Sequence, residues 1–206
     1  MPDGPVVPPR RGAYGLVLAA GAGTRMGRPK ALLVDPAGEP WVARAVRVLR
    51  EGGCARVAVV LGAGADQARP LVPTGTAVVL AERWAEGLSV SLLAGLAAAA
   101  DTDADRVVVH LVDLPDVTAA VVDRVLHTAR PSPSALARAV FAGRPGHPVV
   151  LGRDHWAGVV AHVDGDRGAG GYLSAAGAIG VECGDLAGGG DVDRPVRPDQ
   201  LGGTDL

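Results

Sequence analysis

One ammonium group stands apart in this chain. Of its 20 Lys and Arg residues, only Lys30 is a lysine. It closes the segment Leu18-Ala19-Ala20-Gly21-Ala22-Gly23-Thr24-Arg25-Met26-Gly27-Arg28-Pro29-Lys30. Small residues there let the backbone lie against a ligand, and successive N–H groups can converge on an anion. Arg25 offers phosphate a two-donor clamp and Lys30 a point charge. Carboxylates gather at two later places. Asp113 precedes Leu114-Pro115, and Asp191 and Asp193 belong to Asp191-Val192-Asp193-Arg194-Pro195. Mg²⁺ takes one or two carboxylates and completes its shell with waters and phosphate oxygens. Together these residue types could neutralise a polyphosphate between fixed cations and a carboxylate-held Mg²⁺. Each also has a plainer reading: a glycine-rich βα turn, a turn-forming Asp113, a solvated acidic stretch.

Other catalytic patterns are missing. A dinucleotide fingerprint needs G-x-G-x-x-G, and Gly27 comes one residue late for it. No Gly-Lys-Ser/Thr of a P-loop is present. Gly87-Leu88-Ser89-Val90-Ser91 falls short of a nucleophile elbow because position 91 is not glycine. His110, His127, His155 and His162 show no His-Glu-x-x-His spacing. Cys54 and Cys183 are too few for a disulfide framework or a four-cysteine zinc site, and they fit a reducing compartment.

The elements that must carry these residues alternate. Tyr14 to Ala20 is a continuous apolar run, which marks a strand buried on both faces. Further strands are expected at Arg56 to Leu61, Thr76 to Leu80, Arg106 to Val112, Ala135 to Phe141, Pro148 to Leu151 and Ile179 to Cys183. Helices are expected at Pro40 to Arg50, at Ser89 to Ala100 with Ser89 as N-cap, at Val117 to Thr128 and near Arg167 to Ala176. Strands alternating with helices imply an α/β fold: a three-layer αβα sandwich around a Rossmann-like, mainly parallel sheet. Ligands of such sheets sit beyond the C-terminal strand ends. That places Gly21 to Lys30, Gly62 to Gly64, Glu82 to Ser91, Asp113 and Asp191 to Asp193 near one crevice.

Composition narrows the class. The chain has 206 residues, 48% of them apolar, and a net charge of -2. It suits one domain, expected over residues 13–196 between a disordered leader (1–12) and a polar tail (197–206). The charge balance argues against a nucleic-acid partner, and no apolar run is long enough for a membrane span. A cytoplasmic location is expected.

The pattern L-x-x-G-x-G-x-R-x-G-x-x-K resembles the signature of nucleoside-triphosphate transferases with a MobA-like fold, and within them the molybdenum-cofactor cytidylyltransferases. The resemblance spans Gly15 to Pro195 and implies the sheet of the nucleotide-diphospho-sugar transferase type. It implies nucleotide binding by Leu18, Ala19, Ala20, Gly21, Gly23, Arg25, Lys30, Gly62, Gly87 and Ser91. Arg25, Lys30 and Asp113 are then the catalytic residues, and Mg²⁺ sits on Asp113 with Asp193 or Asp191. Guanylyl-transferring relatives usually carry Gly-Gly where this chain has Ala19-Ala20, which favours CTP over GTP. Gly146-His147-Pro148 resembles a turn near the acceptor pocket, and Asp166-Arg167-Gly168 resembles a motif before a late helix. His147 and Arg167 are thus expected near the acceptor. The implied activity moves CMP from CTP onto molybdopterin and releases pyrophosphate. A molybdoenzyme or cofactor-insertion protein is the implied partner. The alternatives are another NTP with a sugar 1-phosphate or similar metabolite, a nucleotide sensor without turnover, and a dinucleotide-dependent oxidoreductase, which the glycine spacing disfavours.

Overall fold

A computed structural model describes residues 12–163, 165 and 168–193. Arg167 and the segments expected as leader and tail lie outside the described residues, apart from Gly12. Seven strands form one sheet: β1 (Ala13–Ala19), β2 (Cys54–Leu61), β3 (Ala77–Leu80), β4 (Arg106–Leu111), β5 (Leu136–Phe141), β6 (Arg144–Gly152) and β7 (Ile179–Glu182). Their order is β3-β2-β1-β4-β6-β5-β7. Only β6 runs antiparallel, against both β4 and β5. The sheet is therefore mixed but mainly parallel, as expected.

Alternate residues of β1 feed two separate cores, which explains its unbroken apolarity. Val17 and Ala19 face one core with α1 (Trp41–Glu51) and α4 (Ala119–Ala129). Leu16 and Leu18 face the other with α3 (Leu88–Ala100), α5 (Arg153–His162) and α6 (Gly170–Ala175). Val42, Val46 and Leu49 form the buried face of α1, each fully covered. Each such side chain contributes about 1.5–3 kcal/mol by leaving water. A short α2 (Ala65–Ala68) follows β2.

Several local details differ from the sequence expectation. Ser89 is buried in the first turn of α3, and Gly87 caps the helix with φ +117, a backbone setting that excludes most side chains. Gly146-His147-Pro148 lies inside β6, because the hairpin reverses earlier, at Ala142 and Gly143 with φ 49 and 78. Both central residues with positive φ match the right-handed twist of the flanking strands. Helix α5 was not expected; of its ten residues only Trp156 and Val159 are buried, too few to show a helical period.

The chain leaves β1 outward through β2 and β3, then returns to place β4 on β1's other side. Crevices for ligands open at such a switch, beyond the carboxyl ends of β1 and β4.

Candidate functional site

The loop after β1 is shaped by glycines. Gly23 has φ +61, and a Cβ there would lie 2.1 Å from the Arg28 carbonyl oxygen. Only glycine lets the loop fold back this tightly. Met26 N–H and Gly27 N–H close a short 3₁₀ turn on Gly23 and Thr24. Among the described residues the N–H groups of Ala22, Gly23, Thr24 and Arg25 make no backbone hydrogen bond, which leaves four donors available to a ligand.

Beyond these strand ends lies a cavity of about 610 Å³. Its walls include Leu18, Ala19, Ala20, Gly21, Gly23, Arg25, Lys30, Gly87, Ser91, Asp113, Asp191 and Asp193. Nearly every residue expected at the nucleotide thus meets in one space. Gly62 is the exception and does not line it. A Cβ on Gly62 would sit 2.5 Å from the Trp84 Cβ and 2.7 Å from the Ala20 carbonyl oxygen, so its place is beneath the wall, letting Trp84 close in. Trp84 itself lines the cavity, as do Thr24, Leu88 and Leu111. Neither Leu88 nor Leu111 carries a motif signal. Helix α3 begins on the cavity wall, where Gly87, Leu88 and Ser91 line the space.

An ion cluster occupies the centre. Lys30 Nζ donates to Asp113 Oδ2 at 2.5 Å and to Asp193 Oδ1 at 2.6 Å, and Arg25 pairs with the other oxygen of Asp193. Burial pulls the Lys30 ammonium down, but the hydrogen bonds and charges of Asp113 and Asp193 together raise its pKa above the ordinary lysine value. Among the described residues the buried Asp113 Oδ1 has no hydrogen-bond partner. Carboxylate oxygens of Asp113, Asp191 and Asp193 lie within 4.8 Å of one another. A buried orphan oxygen beside two more carboxylates fits a hard divalent cation, which these three residues would hold.

The acidic strand end is fixed from far along the chain. Val192 N–H donates to the Asp113 carbonyl at 3.0 Å, which sets Asp191 and Asp193 on either side of that contact. The preceding glycines have a stated cause. Gly188 and Gly189 N–H both donate to the Asp116 carboxylate at 2.8 and 2.9 Å, and Gly189, at φ +67, packs its bare Cα onto the Phe141 ring.

His147 lies away from this cluster. It borders a second cavity of about 250 Å³, which shares Leu18 and Leu88 with the first. Arg138, absent from the sequence expectation, lines the same space. Burial pushes the His147 imidazole down to about 4, so it is neutral at pH 7.

Residues 15–179 match the MobA-like NTP transferase domain family. Nicotine blue oxidoreductase of Paenarthrobacter nicotinovorans is 36% identical over 191 residues, 87% of this chain and 91% of that protein. A probable molybdenum cofactor guanylyltransferase of Mycobacterium ulcerans is 35% identical over 115 residues, 56% of this chain and 55% of that protein. Among solved structures, Rv0371C of Mycobacterium tuberculosis H37Rv in complex with manganese superposes with a TM-score of 0.65 at 27% identity, covering 84% of this chain and 87% of that one.

Proposed function

The chain belongs to the MobA-like NTP transferase family and is a nucleotidyltransferase, and from that premise we propose that it moves CMP from CTP onto the phosphate of molybdopterin. One observation carries the reading. A lone lysine, clasped by Asp113 and Asp193, shares a cavity with a loop of four unsatisfied N–H donors. That arrangement suits a triphosphate facing a carboxylate-held metal.

In the reaction an acceptor phosphate oxygen bonds to the α-phosphorus, and the bond from that phosphorus to the bridging oxygen of pyrophosphate breaks. The acceptor is ionised at pH 7, so no general base is needed. The residues then work by position and charge. Gly21 to Arg25 hold the triphosphate through backbone donors. Lys30 and Arg25 neutralise charge growing on the leaving pyrophosphate. Asp113 and Asp193, with Asp191 beside them, would hold Mg²⁺, which would supply charge neutralisation and help align phosphate oxygens. The choice of CTP rests on Ala19-Ala20; the guanylyltransferase relative keeps GTP as the competing nucleotide.

A thermal melt with CTP, GTP, ATP and UTP plus Mg²⁺ tests the nucleotide. A ligand at 100 times its Kd adds about 2.7 kcal/mol, so the cognate one stands out. CTP is expected to give the largest shift, and molybdopterin to trigger pyrophosphate release. A larger shift with GTP overturns the choice of base, and binding without any release, whatever the acceptor, overturns the transferase reading.

One observation favours a second reading. A relative aligned over nearly its whole length carries an oxidoreductase name. The same donor loop would accept the pyrophosphate of a dinucleotide. Stabilisation by NADH or NADPH with none by any NTP would establish that reading instead.

A further inference from the structure

Asp193 reaches the ion cluster by an unpromising route. It lies beyond the end of β7, and Gly188-Gly189-Gly190 come just before the acidic pair. Glycine loses more freedom on ordering than any other residue. Asp191 and Asp193 also repel Asp113, since carboxylate oxygens of all three lie within 4.8 Å of one another. Lys30 offsets part of that repulsion, but it grips the Asp193 carboxylate rather than the backbone that brings it. The backbone needs an anchor of its own.

Asp116 supplies one. It belongs to the turn between β4 and α4 that also carries Asp113. Its Oδ2 accepts the N–H groups of Gly188 at 2.8 Å and Gly189 at 2.9 Å. Consecutive backbone N–H groups turned onto one anionic oxygen make charge-assisted bonds, about twice as strong as neutral ones. Bare backbone is what allows this approach. A Cβ on Gly189, at φ +67, would fall 2.1 Å from Phe141 Cδ2, and one on Gly188 would lie 3.1 Å from Asp116 Oδ2 itself. Phe141 is buried, so its ring is a fixed floor under the glycines. The chain is caught once more at Val192, whose N–H donates to the Asp113 carbonyl at 3.0 Å. Both anchors therefore lie on the turn that holds the first carboxylate.

We propose that Asp116 is a positioning residue for the divalent ion: by holding the Gly188-Gly189 backbone, its carboxylate fixes how far Asp191 and Asp193 stand from Asp113. Asp116 is not among the residues lining the larger cavity, so it acts on the ion through the chain it holds. The glycine run is then a requirement of this clamp and not only a product of a glycine-rich composition. The proposal deepens the function above and rests on its reading of Asp113, Asp191 and Asp193 as the carboxylates that hold the metal.

Two measurements without turnover test it on the wild-type chain, Asp116→Ala, Asp116→Asn and Asp185→Ala. Asp185, paired with Arg124 at 2.5 and 2.9 Å on the same stretch of chain, controls for the loss of a nearby negative charge. Amide hydrogen exchange of metal-free protein reports how firmly residues 188–193 are held. Loss of the free-ion paramagnetic resonance signal reports Mn²⁺ affinity. In Asp116→Ala the Val192 amide is expected to exchange at least about tenfold faster, because two charge-assisted bonds are gone. Mn²⁺ affinity is expected to fall at least about tenfold, as it does when a group that orients a metal ligand is lost. Amides of α4 should exchange as in wild type. Asp116→Asn keeps the accepting oxygen and should lie between, while Asp185→Ala should match wild type in both assays. Unchanged exchange at Val192, a loosened segment with wild-type Mn²⁺ affinity, faster exchange that extends through α4, an equal loss in Asp185→Ala, or no Mn²⁺ binding by the wild type each overturns the proposal. A CTP melt on the same samples separates it from the function above. If no nucleotide stabilises the wild type while Mn²⁺ affinity still follows residue 116, the nucleotide reading falls and this one stands.

Discussion

At the scale of single residues, the central fact is a cation held by carboxylates that also suit a metal. Lys30 and Asp113 side chains are only 15% and 14% exposed, so their interaction is poorly screened by solvent. Lys30→Ala would leave Asp113 and Asp193 facing each other and remove the charge proposed to meet the pyrophosphate. Turnover is expected to fall at least about 10³-fold, as for other charged contacts in phosphoryl transfer. Pyrophosphate release under saturating CTP and acceptor measures it, with circular dichroism to confirm the fold; wild-type turnover would remove Lys30 from the mechanism. Asp113→Ala is expected to act alike. The ammonium and a divalent ion also compete for the same oxygens. Lys30→Met is therefore expected to bind Mn²⁺ more tightly than wild type when no nucleotide is present, read as loss of the free-ion paramagnetic resonance signal. Weaker binding by that variant would mean that Lys30 and the ion do not share the site. Because the Lys30 pKa is raised, its stabilising charge is fully present below the ordinary value of 10.5 and is lost only at higher pH. Any activity change near neutrality must come from other groups.

At the scale of elements, the start of α3 is the most exacting. Gly87 links Trp84 to Ser91, both on the cavity wall, through a backbone angle of φ +117. Gly87→Ala forces either strain or a shifted helix start, at a cost of about 1–3 kcal/mol. Urea unfolding should show that loss, and CTP affinity should fall with it because the helix end moves from the rim; unchanged values in both assays would refute the role. The sequence showed less of this element than of the sheet. Strands β1, β2 and β4 carry near-continuous apolar runs, Arg56, Arg106 and His110 apart, because both faces are covered, and that pattern survives without tertiary information. The loop from Gly21 to Lys30 and Asp113 were legible for the same reason: they follow such strands directly. Ser89 was misplaced because a serine before an apolar run reads as a cap, whereas the helix starts earlier, at Leu88, from Gly87 in a positive-φ conformation. Gly62 read as a ligand contact because it follows a strand, yet its bareness serves Trp84. Arg138 gave no signal, since a charged residue alternating with apolar ones in a strand normally marks a solvent face. Its surroundings come from distant parts of the chain, among them Leu173 of α6 and Leu92 of α3.

At the scale of the whole molecule, two cores share one sheet, and that shared wall carries an acid-sensitive group. His110 of β4 pairs in register with Val17 of β1, is 1% exposed, and among the described residues has no hydrogen-bond partner at Nδ1. Burial, then the nearby His147 and Arg44, press its pKa from 6.5 to about 3. The folded protein keeps this imidazole neutral where the unfolded chain protonates it. The unfolded state then binds more protons between the two values, so stability is complete above about pH 6.5 and declines as pH falls toward 3. Each pH unit in that window costs about 1.4 kcal/mol, or roughly 2 kcal/mol by pH 5. His110→Leu keeps an apolar side chain in the core and removes the titration. Comparing urea unfolding at pH 7.5 and pH 5.0, the variant is expected to lose about 2 kcal/mol less than wild type. An equal loss in both would mean that His110 is protonated in the fold or that water reaches it. Because Asp113 ends the same chain segment three residues later, this acid loss would disable the metal carboxylates by loosening β4, so activity and folding should decline together as the pH is lowered.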